Sequence, residues 1–173
     1  MQHLQRAWEI VTPHAWNWVV VTIFFLYLLS VGIGLLFVPN VVRIARKAAD
    51  EGTPPNLSEL FRFDSFAEDA LVVVVQKILI LTGLCLCLIG SPILAFVLYW
   101  SVHLAADQAY APIDCIKVAF LYGKSNFLHT FVNVVVIHLV VYLAIFLTCG
   151  VGALLGLPIL TVAIERFYRS ELP

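Results

Sequence analysis

The stretch FLHTFVNVVVIHLVVYLAIFLTC, residues 127–149, decides the fold of this chain. Its 23 residues include no Asp, Glu, Lys or Arg, and about 20 apolar residues at about 1.5 Å each are enough to cross the hydrocarbon core of a membrane. Backbone N–H and C=O groups in lipid must bond to one another, so such a run is expected to be helical. Its valines do not alternate with polar residues as they would in a barrel strand. The stretch therefore predicts a transmembrane helix.

The composition extends this interpretation to the whole chain. Of its 173 residues, 62% are hydrophobic and 12% are charged, and the mean hydropathy is +0.98. A soluble domain has about 45–50% apolar and about 25% charged residues. We therefore expect an all-α fold, a polytopic transmembrane helical bundle that forms a single membrane domain. The net charge of −1 indicates no nucleic-acid partner.

We predict about five spans, separated by turns and polar loops. They cover residues 17–38, 67–90, 92–107, 127–149 and 153–168. Trp16 and Trp18 mark a membrane interface at the start of the first span, because indole rings prefer that level. Gly32 and Gly34 leave an alternative open, in which residues 17–38 form a re-entrant hairpin instead of one span.

Residues 40–66 are the longest polar segment and are predicted to lie at the cytoplasmic membrane surface. In their first part, apolar and basic residues alternate as in a basic amphipathic helix. Glu51–Pro55 should end this helix, and Asn56 or Ser58 should cap a short second one. Shorter helices are also expected within residues 1–15 and over Pro112–Leu121. The candidates for contact with lipid headgroups are Arg43, Arg46 and Lys47.

The basic residues are distributed unevenly between the predicted loops. With five spans, one side of the membrane carries eight of the ten Lys and Arg residues, and the other side carries Arg6 alone. The positive-inside rule then predicts a multi-pass protein of the bacterial cytoplasmic (inner) membrane with its C-terminus in the cytoplasm and its N-terminus outside. The hairpin alternative puts both termini inside. The eight residues are Arg43, Arg46, Lys47, Arg62, Lys117, Lys124, Arg166 and Arg169.

Several motifs resemble those of a known family. A basic helix, an acidic-Gly-Pro turn and a Leu-x-x-Leu-Phe segment follow the first span. They lie at Arg43–Lys47, Glu51–Pro55 and Leu57–Phe61, and later motifs lie at Ala111–Lys117, Gly123–Phe127, Gly152, Leu157–Pro158 and Tyr168–Arg169. Over roughly residues 17–170 the chain resembles a mostly uncharacterised group of prokaryotic membrane proteins similar to the glycerophosphodiesterase-type membrane domain and the YciC-like proteins. The resemblance implies a compact helical membrane bundle, often an accessory part of something larger. The sequence has no attached catalytic domain, so phosphodiesterase activity is not implied.

Lys77 is the most unusual residue of the predicted spans. Charge inside a membrane is costly and often functional, but a lysine can also extend its stem toward the headgroups, and both interpretations stay open. Glu165 in the last span, or Asp69, is a possible partner. In the fourth span, His138 and Asn133 form a candidate polar site, either through an interhelical hydrogen bond or as part of a proton relay.

Two histidines near the cytoplasmic ends of neighbouring predicted spans are candidate ligands of a metal or a haem iron. They are His103, one helical turn before Asp107, and His129; the alternative is that they are ordinary interfacial histidines. The cysteines show no Cys-x-x-Cys spacing and are expected to pack as small apolar residues. They are Cys85, Cys87, Cys115 and Cys149.

Three functions are compatible with these features. The favoured one is a non-catalytic accessory or structural subunit of a larger membrane complex, whose partners are membrane lipids and other membrane protein subunits, without a cofactor. The second is a small transporter or channel that uses Lys77 and His138. The third is a redox or cofactor-binding membrane subunit that uses His103 and His129. No motif such as His-Glu-x-x-His occurs, so no catalytic residue is assigned and an enzyme is not expected.

Overall fold

A computed structural model describes residues 2–86, 90–108, 110–148 and 150–171, without the side chains of residues 84–91. Within these ranges helices are the only regular elements, which confirms the all-α prediction. Cys85, Cys87 and Cys149 were predicted to pack as apolar residues, and their side chains lie outside the described part. Backbone contacts divide the chain into two compact units, and the single membrane domain stays a prediction. The units are Met1–Arg62 with Val134–Pro173, and Phe63–Asn133.

The first unit contains five α-helices in its own segments and most of a sixth. The helices before residue 62 are α1 (Gln2–Val11), α2 (Ala15–Ser30), α3 (Val38–Glu51) and α4 (Leu57–Leu60). Two 3₁₀ turns, Thr12–His14 and Gly34–Phe37, connect the first three of them. In the second unit lie α5 (Phe66–Leu86), α6 (Gly90–Val97), α7 (Ser101–Asp107) and α8 (Pro112–Ser125). Helix α9 (Phe127–Leu147) begins there and continues into the first unit, which ends with α10 (Ala153–Glu171).

Helix α10 is the centre of the first unit, since α1, α2 and α3 all pack against it. Small residues occupy these contacts. Ala7 on α1, Ala45 on α3 and Ala163 on α10 are each completely buried. An alanine surface lets two helix backbones approach closely, which is a common way to join helices in membrane proteins.

The helix predicted to run through Val38 ends at Ser30. Gly32 has a φ of +82°, a left-handed conformation that glycine adopts without steric cost, and the Ile33 N–H donates back to the Leu28 carbonyl at 3.1 Å. A Cβ on Gly34 would lie 2.5 Å from the Leu29 backbone nitrogen. The chain therefore turns back on α2 at the two glycines, and the residues 17–38 are not one continuous helix.

Helix α3 returns to the beginning of α2. It ends at Glu51, and the next residue, Gly52, has a φ of +64°. Beyond it, the Gly52 carbonyl lies 3.2 Å from His14 Nε2, and Asn17 Nδ2 donates to the Pro55 carbonyl at 3.3 Å. The five-span arrangement places Asn17 and residues 39–66 at opposite ends of the first span, whereas these hydrogen bonds hold them side by side. On which side of a membrane each segment lies stays a prediction. These contacts agree with the hairpin alternative.

In the second unit, α5 packs against α6, α7 and α8. The predicted span of residues 92–107 is interrupted between α6 and α7. At this break, the Leu98 carbonyl accepts hydrogen bonds from Gln76 Nε2 at 2.9 Å and from Ser101 Oγ at 2.8 Å. Both donor side chains are buried, and together with the Ser101 N–H at 3.1 Å they fully satisfy a carbonyl that would be costly to leave unpaired in an apolar interior.

Among the described residues, two helical segments are long and apolar enough to cross a membrane. They are Gln2–Ser30, which comprises α1, the first 3₁₀ turn and α2, and Phe127–Leu147, which is α9. Residues Pro92–Asp107 are apolar but shorter. The number of five spans stays a prediction.

Candidate functional site

A cluster of four charged side chains joins α3 to α10. Glu165 is completely buried, and its Oε1 accepts hydrogen bonds from Arg46 Nε at 2.7 Å and from Arg169 Nε at 3.2 Å. Arg169 also reaches Asp50 on α3, with 2.6 Å between Nη1 and Oδ1. On each helix the two members are four residues apart, which places them on one face. Both interhelical pairs join residues 119 positions apart, so the two helices run parallel here.

The charges of this cluster compensate one another. A buried carboxylate is costly unless it is paired and hydrogen-bonded. Glu165 is bonded to two guanidinium groups, those of Arg46 and Arg169. The side chain of Arg46 is itself only 14% exposed. The guanidinium of Arg46 also lies 6.0 Å from the ring centre of Tyr168, within the range of a cation–π contact. Because the Glu165 carboxylate faces two cations, one from each helix, the arrangement fixes the orientation of α3 relative to α10.

The three residues predicted to contact lipid headgroups have partners within the protein. Arg43 Nη1 donates to Asn40 Oδ1 at 2.8 Å, and Lys47 Nζ lies 2.5 Å from Glu59 Oε1. The hydrogen bond to Glu59 raises the pKa of Lys47. Arg46 joins α3 to α10 through Glu165, and its side chain is 14% exposed. Headgroup contact stays a prediction for all three residues, of which Lys47 has a half-exposed side chain.

Lys77 and the carboxylates suggested as its partners have different surroundings. Lys77 is exposed on α5, whereas Asp69 is buried in the first turn of the same helix. Ser65 Oγ donates to Asp69 Oδ2 at 3.0 Å, as expected for an acidic residue at a helix N-terminus. Glu165 belongs to the other unit, where Arg46 and Arg169 bind it; its pairing with Lys77 stays a prediction.

His138 and Asn133 make hydrogen bonds along their own helix. His138 Nδ1 lies 2.8 Å from the Val134 carbonyl oxygen, and its ring centre is 5.7 Å from that of Tyr142. Asn133 Nδ2 donates to the His129 carbonyl at 2.9 Å. Each of these contacts spans four residues of α9, and the interhelical hydrogen bond and the proton relay both stay predictions.

His103 and His129 occupy different environments in the second unit. His103 is buried, with ring centres 6.2 Å from Tyr99 and 5.4 Å from Trp100, whereas His129 and Asp107 are exposed. Within the described ranges, no group of three or more His, Cys, Asp and Glu side chains could hold a metal ion. A haem or metal held by the two histidines stays a prediction, which an absorption spectrum of the purified protein would test.

Sequence reasoning missed two features of these sites. Asp50 and Arg169 were counted only as parts of a polar segment and a tail, although Glu165 and Arg169 form an i, i+4 pair that is visible in the sequence. Gln76 was passed over beside Lys77, although a lone amide in an apolar run signals a buried hydrogen bond.

Comparison of the chain with protein-family models, with curated proteins and with solved structures gives no match in any of the three. The resemblance to the glycerophosphodiesterase-type membrane domain and the YciC-like proteins therefore stays an expectation from the sequence.

Proposed function

We propose that this chain is an integral membrane protein of the bacterial inner membrane and serves as a non-catalytic accessory subunit of a larger membrane complex. The observation that carries the proposal is the surface of α9. The helix has 21 residues, and in an apolar stretch of 18 of them, with a mean hydropathy of 2.5, only 22% of the residues are buried. Large apolar side chains are exposed on this helix, among them Leu139, Phe146 and Leu147, which are 65%, 79% and 72% exposed.

This exposed apolar surface has to be shielded from water by lipid or by another protein. At about 25 cal/mol per Å² of apolar surface, such side chains are unfavourable in water, and soluble monomers rarely expose large contiguous apolar patches. Lipid chains cover such a helix equally well on every side, whereas a neighbouring subunit covers one side of it. Contact with lipid and contact with a neighbouring subunit are both expected for a subunit of a membrane complex.

The contacts of the first unit support an orientation for it. Segments near the N-terminus, the Gly52–Pro55 turn and the C-terminus meet at one end, through His14 with Gly52, Asn17 with Pro55 and Arg169 with Asp50. Helix α2 with 16 residues is about 24 Å long, less than the roughly 30 Å of a hydrocarbon core. We infer a re-entrant hairpin of α2 and α3, with both chain termini on the cytoplasmic side.

Site-specific photocrosslinking tests the subunit role. A photoreactive amino acid at Leu139, on the exposed face of α9, should give one protein adduct of defined mass in native membranes. The matched control carries the same group at Lys117, an exposed position on the polar side of α8, and should give no such adduct. Adducts to lipid alone at Leu139 would reject the accessory role and leave the membrane location intact. A chain that stays monodisperse in buffer without detergent would reject both.

A second candidate function is transport, favoured by the interrupted helix between α6 and α7. Discontinuous helices in transporters leave backbone groups free to bind substrates or ions, and here Gln76 contacts the break. The sequence candidates for this role are Lys77 and His138. A pH-sensitive dye in proteoliposomes would report a proton flux, which Lys77→Met should abolish. Flux equal to that of empty liposomes would reject transport of protons.

A further inference from the structure

An open cleft of about 420 Å³ lies at the end of the α2–α3 hairpin. Its volume falls within the range of about 300–1,000 Å³ that small-molecule sites occupy. Trp16 and Asn17 at the start of α2 form one wall, and Pro54, Pro55 and Asn56 form the other. Asn17 Nδ2 donates to the Pro55 carbonyl and thereby joins the two walls.

The walls offer flat apolar surfaces. Trp16 is 76% exposed, so its indole offers a broad aromatic surface with a polar N–H at its edge. The two prolines present ring surfaces and have no backbone N–H groups. None of the residues that line the cleft is charged. These features suit a neutral ligand with an apolar face.

The amide groups at the rim supply a donor and an acceptor. Asn56 Oδ1 accepts from the Ser58 N–H at 3.0 Å and caps α4, so its Nδ2 group is the part that can donate to a ligand. Asn17 uses its Nδ2 group for Pro55, so its Oδ1 atom is the part that can accept. A ligand with several hydroxyl groups, each both a donor and an acceptor, matches this pair.

We propose that this cleft binds a neutral polyhydroxylated group, such as a glycosyl ring stacked on the indole of Trp16 with its hydroxyls bonded to Asn17 and Asn56. A sugar ring combines a C–H face, which fits an aromatic surface, with hydroxyls that both donate and accept. A free sugar and the headgroup of a neutral glycolipid share this chemistry. Only the lipid source rests on the membrane location proposed above.

The experiment uses the full chain in phosphatidylcholine nanodiscs, which contain no sugar. Methyl β-glucoside in solution is the probe for a free sugar, followed by saturation-transfer NMR. Monoglucosyl diacylglycerol added to the bilayer is the probe for a lipid headgroup, followed by native mass spectrometry of the released protein. Saturable binding of either probe supports the cleft, and which probe binds identifies the source.

Three variants make the result specific to the cleft. Trp16→Ala should weaken binding at least about 10-fold, a loss of about 1.4 kcal/mol. Asn56→Asp keeps a helix-capping oxygen but has no donor, since an ionised carboxylate only accepts, and should weaken binding while α4 stays folded. Trp8→Ala removes an indole that is 56% exposed on α1 and does not line the cleft, and should bind like the unchanged chain.

Binding of neither probe, or equal binding by Trp16→Ala and the unchanged chain, would overturn the proposal. Equal loss in Trp8→Ala would do the same, because it would indicate unspecific adsorption to exposed indoles. If the chain proved soluble without detergent, the membrane location would fail, and the glucoside experiment in buffer would still decide on the cleft.

Discussion

Arg46 Nε lies 2.7 Å from Glu165 Oε1, and this contact joins two helices 119 residues apart in the chain. Glu165 is completely buried, so this contact brings charge into the interior of the first unit. Around it, the neighbouring positions Ala45 and Ile164 are almost completely buried. A buried ion pair contributes little net stability, but loss of one partner leaves the other charge uncompensated. The pair therefore fixes how α3 sits on α10.

Glu165→Ala should destabilise the protein by about 3–5 kcal/mol, because two guanidinium groups lose their shared carboxylate. For a domain of this size that corresponds to a fall in Tm of about 10 °C, measured by circular dichroism in detergent. Lys117→Ala is the control: its pair with Asp114 is exposed on both sides and should contribute no more than about 1 kcal/mol.

The double variant Arg46→Met with Glu165→Met should recover most of the loss. Apolar side chains of similar volume often replace a buried ion pair at no cost, and Arg169 keeps its partner Asp50. If the double variant is as unstable as Glu165→Ala alone, the cluster has a role beyond charge compensation.

Local signals predicted the ends of several helices. Glu51–Pro55 ends α3, where Gly52 takes the left-handed conformation, and Asn56 caps α4. Pro112 begins α8 as expected. These positions carry residues with strong intrinsic preferences, which act over a few residues of chain and need no knowledge of the fold.

The break after Ser30 and the cluster of charges on α3 and α10 depend on contacts between distant residues. Both sides of the break are apolar, so hydropathy alone extends the helix to Val38, and Gly32 only marks a place where it can bend. The pairing of Arg46 with Glu165 requires two helices to pack in one register, which no local pattern specifies.

Gln76→Leu should destabilise the second unit by about 0.5–1.5 kcal/mol, because the Leu98 carbonyl at the helix break loses one buried hydrogen bond and keeps those from Ser101. Thermal unfolding measures this loss, and amide hydrogen exchange should show faster opening at Tyr99–Ser101. The control Thr82→Val removes a hydroxyl on the same helix that is exposed and bonds only within it, and should leave both measurements nearly unchanged. Equal effects of the two variants would contradict the role given to Gln76.

Cys115 should react slowly with iodoacetamide. Burial raises the pKa of its thiol from 9.0 to about 11, and Sγ points to the Tyr110 carbonyl at 3.6 Å. Because the thiolate is the reactive form, a shift of two pKa units lowers its fraction about 100-fold at pH 8. The folded state holds this proton more tightly than the unfolded state, so the stabilisation is present below pH 9 and is lost as pH rises toward 11. Mass spectrometry of a variant with serine at the other three cysteines measures the rate, and a fast reaction at pH 8 in the folded chain would contradict the burial.

The hairpin of α2 and α3 makes a topological prediction that separates it from a single crossing. The contacts of the first unit bring three segments to one end: the N-terminal segment, the Gly52–Pro55 turn and the C-terminus. In a chain whose cysteines are replaced by serine, one thiol is placed in or near each segment, by Gln5→Cys, Thr53→Cys and Ser170→Cys. A maleimide that does not cross membranes should label all three from the cytoplasmic side, in inverted vesicles, and none in intact spheroplasts. A single crossing by residues 17–38 instead labels Gln5→Cys in spheroplasts and Thr53→Cys in inverted vesicles. That split result would rule out the hairpin, because the hydrogen bond from Asn17 to Pro55 cannot form across a membrane about 30 Å thick.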